Sequence, residues 1–224
     1  MADSSDKNIQ KTVGHYDRLS KKYDKGYSAY LKHTHDKFMD RLNFSPGDHI
    51  LDISGGTGIL AEQILLKFPD VKITLNDPSD GMLQIAKKRL KKFNHVAFTS
   101  HPAEKLPFEK NRFDHITCLN SFHYYTDQHL VTESMRTVLK PEGTVKILDW
   151  NREGWFHLPN KIISLLSPEN INTRSLSELK TLLTGSGFDI SSEAHWSFRF
   201  WKFFYVEATY RGSPIRHVNS NSNS

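Results

Sequence analysis

The chain has 224 residues, 37% hydrophobic, 25% charged and 12% aromatic, a globular composition with enough apolar mass for one sizeable core. Lys and Arg total 30 against 25 Asp and Glu, a formal +5; this is too mild for a nucleic-acid binder, and the densest cluster, AKKRLKKF, spreads its charges over the solvated face of a helix. One cysteine, Cys118, permits no internal disulfide, no stretch nears the roughly 20 apolar residues of a membrane span, and MADSSDKN lacks a signal core, so a soluble cytoplasmic protein is expected.

Residues 8–42 read as helical and carry tyrosines at 16, 23, 27 and 30; Tyr16 and Tyr23, seven apart, share a helical face. From residue 49 strand-like and helix-like runs alternate. HILDI (49–53) is a strand, GILAEQILLKF (58–68) a helix, VKITLN (71–76) a second strand, and SDGMLQIAKKRLKKF (79–93) a second helix capped by Ser79 or Asp80. HVAFTS (95–100) and FDHITCLN (113–120) are the third and fourth strands, the latter apolar enough to be buried on both faces, with Cys118 as a core thiol. A helix over 127–139 is stopped by Pro141 and Gly143, and TVKILDW (144–150) is the fifth strand. The helix in SLSELKTLLTGSGF opens on a capping box, Ser175 with Glu178, and ends on Gly185 and Gly187. Residues 189–210 read as a closing hairpin at the sheet edge, and the polar tail 211–224 is expected to be disordered.

Strands that alternate with helices imply an α/β fold, with right-handed crossovers, a mostly parallel sheet and helices on both faces. Ligands then bind beyond the carboxyl ends of the strands, where strand order reverses. The loop at the first such end is LDISGGTGIL, with Gly55, Gly56 and Gly58 close together. A phosphate P-loop is excluded, because Ile59 and Leu60 stand where Lys and Ser or Thr belong. A nicotinamide loop is harder to exclude: Gly55, Gly58 and Ala61 approximate its spacing, and Asp77 follows Gly58 by 19 residues. Against it, Asp52 suits an ammonium and is a poor neighbour for a pyrophosphate, a long segment precedes the first strand, and no Tyr-x-x-x-Lys pair occurs.

The blocks LDISGGTG, NDPSDGML, HPAEKLPFEKNRFD and VLKPEGTVKILDW, in this order, resemble class I S-adenosylmethionine-dependent methyltransferases, within the group that holds the quinone-biosynthesis C-methyltransferases and many small-molecule methyltransferases. YDRLSKKYD is similar to that group's N-terminal Tyr-Asp segment, and the resemblance spans residues 10–210. It implies a Rossmann-like seven-stranded sheet with an antiparallel C-terminal strand pair, an N-terminal helical lid (1–43), a cofactor-binding domain (44–210) and a tail (211–224). The glycine turn would take the methionine half of the cofactor: Asp52 contacts its ammonium, and Gly55, Gly56 and Gly58 let backbone approach closely. Ser54 stands where the family has its first glycine. Asp77 would bind both ribose hydroxyls, with Pro78 after it and the Met82 thioether against adenine. Pro102 replaces the family's adenine-binding acid, which leaves the Ala103 amide and Glu104 to serve the ring.

The resemblance also places Asn120, Ser121, His123 and Tyr124 near the methyl group. Asn120 would contact the methionine moiety or the substrate, and His123 is either a general base or a spacer packed beneath the cofactor. Tyr23 is assigned to the cofactor carboxylate or the acceptor. Tyr16, Tyr124, Trp150, Asn151 and Arg152, with Trp155 and Phe156, would wall an aromatic or lipophilic acceptor. No metal is expected: HTHD (33–36) lacks ligand spacing, and Asn120 stands where a metal-dependent catechol methyltransferase needs an acid. The expected reaction is in-line transfer of a methyl group to a small molecule, leaving S-adenosylhomocysteine, by a monomer or homodimer without nucleic-acid partners. A non-catalytic protein that binds the same cofactor and a nicotinamide oxidoreductase are the alternatives.

Overall fold

A computed structural model describes residues 2–26, 28–153 and 171–212. Two helices, α1 (Ala2–Gly26) and α2 (Ser28–Met39), lead into β1 (His49–Ile53), α3 (Ile59–Lys67), β2 (Lys72–Asn76), α4 (Asp80–Arg89) and β3 (Val96–Thr99). After β4 (Phe113–Leu119) come α5 (Gln128–Val138), β5 (Leu139–Trp150), α6 (Leu176–Gly185) and the hairpin β6 (Phe188–Phe198) with β7 (Trp201–Tyr210). The seven strands lie in the order β3-β2-β1-β4-β5-β7-β6. The first five pair in parallel, and β7 runs antiparallel to both β5 and β6. Strand order therefore reverses between β1 and β4, which puts the cleft at their carboxyl ends.

Each sheet face buries its own core. Ile50, Leu60, Ile64, Leu83 and Phe38 pack on one face; Leu51, Ile53, Val131, Met135 and Leu179 pack on the other. Alternate residues of β1 thus feed opposite cores, which is why its sequence is apolar throughout except for Asp52. Cys118 is fully buried, and burial pushes its thiol up to about 12, as suits a core residue. Of the expected lid, α2 is built into the core through Phe38, and Leu42 joins it from the turn beyond, while α1 lies against the cleft.

Most expected elements appear within a residue or two, and three differ. The helical segment expected over 8–42 is two helices, which begin at Ala2 and end at Met39. The helix expected to 93 ends at Arg89, and Leu90–Phe93 turn back on themselves. The fifth strand starts five residues early. Leu139 pairs with Phe113, the register then shifts, and Thr144 pairs with His115, so Pro141 and Gly143 sit in a bulge where no ladder amide is lost. Ser79 caps α4, its side chain accepting from the Met82 amide, and the Ser175–Glu178 capping box forms on α6. Arg211 pairs with Asp189 and Glu142; residues 213–224 of the tail, and Trp155 and Phe156, lie outside the described residues. No described helix is long and apolar enough to cross a membrane.

Candidate active site at the switch point

The turn after β1 is built by close approach. A Cβ on Gly55 would lie 2.7 Å from Asp52 Oδ2 and 2.7 Å from Leu75 Cγ, so no side chain fits there. Gly58 caps α3 at φ 79, a left-handed conformation that costs glycine little. The Gly56 amide donates to Asp77 Oδ2 at 2.8 Å and the Ser79 amide to Asp77 Oδ1 at 2.8 Å, which ties the β1 turn to the end of β2.

Ser54 also holds a positive φ, of 53. Its hydroxyl is 3.0 Å from the Tyr125 hydroxyl, which anchors a conformation a glycine would adopt without help. Ser54→Ala keeps the strained backbone and loses the bond, with an expected cost of about 1–2 kcal/mol. Ser54→Gly loses the bond but relieves the strain, so the two effects nearly cancel. Urea unfolding of the two variants separates these outcomes; equal destabilisation would remove the strain argument.

Asp52 is the least satisfied acid of the site. Its Oδ1 accepts from Thr117 Oγ1 at 2.8 Å across the β1–β4 pair, while its Oδ2 is buried without a hydrogen-bond partner among the described residues. Burial pushes the carboxyl up to about 7, against the Thr117 hydrogen bond and with a smaller push from Asp77. Burial likewise raises Asp77 to about 6, opposed by the Ser79 and Gly56 amides and assisted by Asp17. Glu104 is raised by burial too, opposed by backbone amides that include those of Thr126 and Asp127.

Two clefts flank the glycine turn and share Ser54, Gly56, Leu119 and Asn120. The larger encloses about 740 Å³, part of it open to solvent, and contains Asp77, Ser79, Met82 and Glu104. The smaller, about 400 Å³, contains Asp52, Gly55, Leu31 and His35. Asn120 stands between them in a left-handed conformation (φ 58). It accepts from the Tyr30 hydroxyl at 2.9 Å and donates to Thr34 at 2.8 Å, while Trp150 Nε1 donates to Tyr30 at 2.8 Å. This network fixes α2 against the ends of β4 and β5.

Asp52, Ser54, Gly55, Gly56, Asp77, Met82, Glu104, Asn120, Tyr16 and Tyr124 therefore converge, the last two with ring centroids 5.5 Å apart. Other expected site residues line neither cleft. Gly58 and Pro78 shape turns, Pro102 caps the short helical turn Ala103–Lys105, and Ala103 is buried in the core. His123 is 2% exposed, with Nδ1 2.5 Å from Asp149, its amide on the same carboxylate, its ring stacked on Trp150 and its Nε2 without a hydrogen-bond partner among the described residues. Trp150 and Asn151 are likewise buried, and Arg152 is turned to Glu178. Tyr23 lies in α1, with its side chain outside the described residues.

Sequence reasoning missed Ile9, Thr12 and Val13, which line the larger cleft with Tyr16. Their i, i+3, i+4, i+7 spacing was the available signal.

Residues 50–143 match the model of a methyltransferase domain family. The ubiquinone/menaquinone biosynthesis C-methyltransferase of Ectopseudomonas mendocina is 35% identical over 113 residues, 49% of this chain and 44% of that protein. Its Coxiella burnetii counterpart is 30% identical over 148 residues, 64% of this chain and 58% of that protein. The chain thus spans about half the length of the curated relatives it matches. Among solved structures, a chain of the complex between the Haloferax volcanii Trm112 methyltransferase activator and a putative methyltransferase superposes with a TM-score of 0.76 at 17% identity, covering 87% of this chain and 96% of that one. A Thermotoga maritima protein described as a possible histamine N-methyltransferase gives 0.71 at 20% identity, covering 87% and 97%. These two likenesses speak for the fold.

Proposed function

We propose that this chain, which carries a class I S-adenosylmethionine-dependent methyltransferase domain, transfers the methyl group of S-adenosylmethionine to a small-molecule acceptor. The observation that carries the reading is Asp52 Oδ2, a buried carboxylate oxygen without a partner, beside a cradle that a Cβ at Gly55 would fill. A buried, unpaired acid is costly unless a cationic ligand completes it. An ammonium does so; a pyrophosphate would add a second anion, and the described residues of both clefts include no Lys or Arg.

In this reading Asp52, Ser54, Gly55, Gly56 and Asn120 hold the amino-acid end of the cofactor. Asp77, Met82 and Glu104 hold its nucleoside, the Asp77 oxygens keeping lone pairs for a vicinal diol. The bound cofactor supplies a methyl carbon activated by its sulfonium. The protein's part is alignment and the exclusion of water, which needs no acid–base dyad. The flank formed by Ile9, Val13, Leu119, Tyr16 and Tyr124 suits an aromatic or lipophilic acceptor, and a cytoplasmic setting belongs to the same reading.

Calorimetry with S-adenosylhomocysteine and with NAD tests the cofactor, and tighter NAD binding would overturn it. Incubation with methyl-labelled cofactor and a metabolite extract tests catalysis; binding without label transfer in broad extracts would leave a cofactor-binding protein.

A further inference from the structure

We propose that Asp17 is a positioning residue that latches α1 over the cofactor cleft by docking on the first turn of α4, an inference that rests on the cofactor reading above. Asp17 Oδ1 accepts from Ser79 Oγ at 2.5 Å and from the Gly81 amide at 2.9 Å. A carboxylate at a helix N-terminus meets unpaired amides and the positive end of the helix dipole. Ser79 links this contact to the ribose side of the site. Its hydroxyl donates to Asp17 and accepts from the Met82 amide at 3.2 Å, while its own amide donates to Asp77 at 2.8 Å. The lid carboxylate and Asp77 are thus braced through one residue.

Gly81 supplies the second, independent observation. A Cβ there would lie 3.1 Å from Asp17 Oδ1, 3.1 Å from Ser20 Oγ and 3.2 Å from Asp17 Cα. Glycine costs a helix up to about 1 kcal/mol relative to alanine at an interior position, and less in the first turn, where Gly81 stands. The close seating of α1 accounts for a glycine at this place. The same helix turns Ile9, Val13 and Tyr16 into the larger cleft, so the latch sets how tightly that wall closes. With α1 seated, a bound cofactor leaves only when the latch opens, and Asp17 governs retention without touching the reacting atoms.

Two variants separate the latch from simple folding. Gly81→Ala improves helix propensity yet pushes α1 away, so the free protein is expected to melt at the same temperature or higher while it releases S-adenosylhomocysteine about tenfold faster or more. Asp17→Ala should match that rate, and Asp17→Asn, which keeps an acceptor oxygen, should restore most of the retention. Amide hydrogen exchange on the ligand-free proteins should show residues 9–20 opening in Gly81→Ala and Asp17→Ala, with β1 and β2 unchanged. Wild-type release rates in both variants, or unchanged exchange in α1, would overturn the latch. If the wild-type protein bound no S-adenosylhomocysteine, the cofactor reading would fall, and the exchange experiment would still decide the latch.

Discussion

Asp77→Ala is expected to weaken S-adenosylhomocysteine binding by more than about tenfold, because a ribose diol would lose two charge-assisted hydrogen bonds, each worth roughly 1.5–3 kcal/mol. The loss extends beyond the ligand. Asp77 holds the Gly56 and Ser79 amides together, so alanine also frees the glycine turn from the end of β2. Asp77→Asn separates the two contributions. It retains one acceptor oxygen but places an amino group against one of those backbone donors, and it should bind more weakly than wild type yet unfold less readily than Asp77→Ala. Calorimetric titration beside urea unfolding of the three proteins checks this. Unchanged affinity in Asp77→Ala would show that the ribose does not sit there.

A proton should be displaced when a cationic ligand reaches Asp52. In the free protein burial holds the Asp52 carboxyl at about 7 and Asp77 at about 6. Both values lie above those of an unfolded chain, so at intermediate pH the folded state binds protons that the unfolded state has lost. The stability these groups contribute is therefore present at low pH and declines as pH rises from about 4 to 7. Binding has the opposite sign. An ammonium requires ionised Asp52, so cofactor affinity should rise with pH and level off above about 7; below about 6 it should fall by up to tenfold per pH unit for each proton displaced. Asp52→Asn should lower affinity at pH 8, flatten the Asp52 part of the profile and remove its share of the stability loss. Titrations from pH 5 to 8.5 in buffers of different ionisation heat would register the released proton. A flat wild-type profile would mean that Asp52 does not face the ligand's cation.

Local pattern carried much of this architecture. Apolar runs of five to seven residues alternating with helical periodicity specify parallel strands and crossovers, and β1 begins and ends where the pattern places it. The bulge at Leu139–Gly143 was hidden by two helix breakers, Pro141 and Gly143, whose local preference says only that the helix ends. That Leu139 nonetheless pairs with Phe113 depends on the neighbouring strand.

The site divides along the same line. The sequence by itself determined the glycine turn, Asp52 ahead of it, Asp77 at the next strand end and the kinship those blocks share with one family, because these are matters of order and spacing along a single strand–turn–helix unit. Only the tertiary structure decided which side chains face the cleft. His123 and Trp150 stand at or just beyond strand ends as cleft residues should, yet Asp149 and their stacked rings hold them inward. Ile9, Val13 and Asp17 are remote in sequence, and the packing of α1 on α4 brings them to the site. Periodicity fixes which residues share a face of an element. What lies opposite that face, and whether Asp52 keeps an oxygen for a ligand, depends on contacts between residues far apart in the chain.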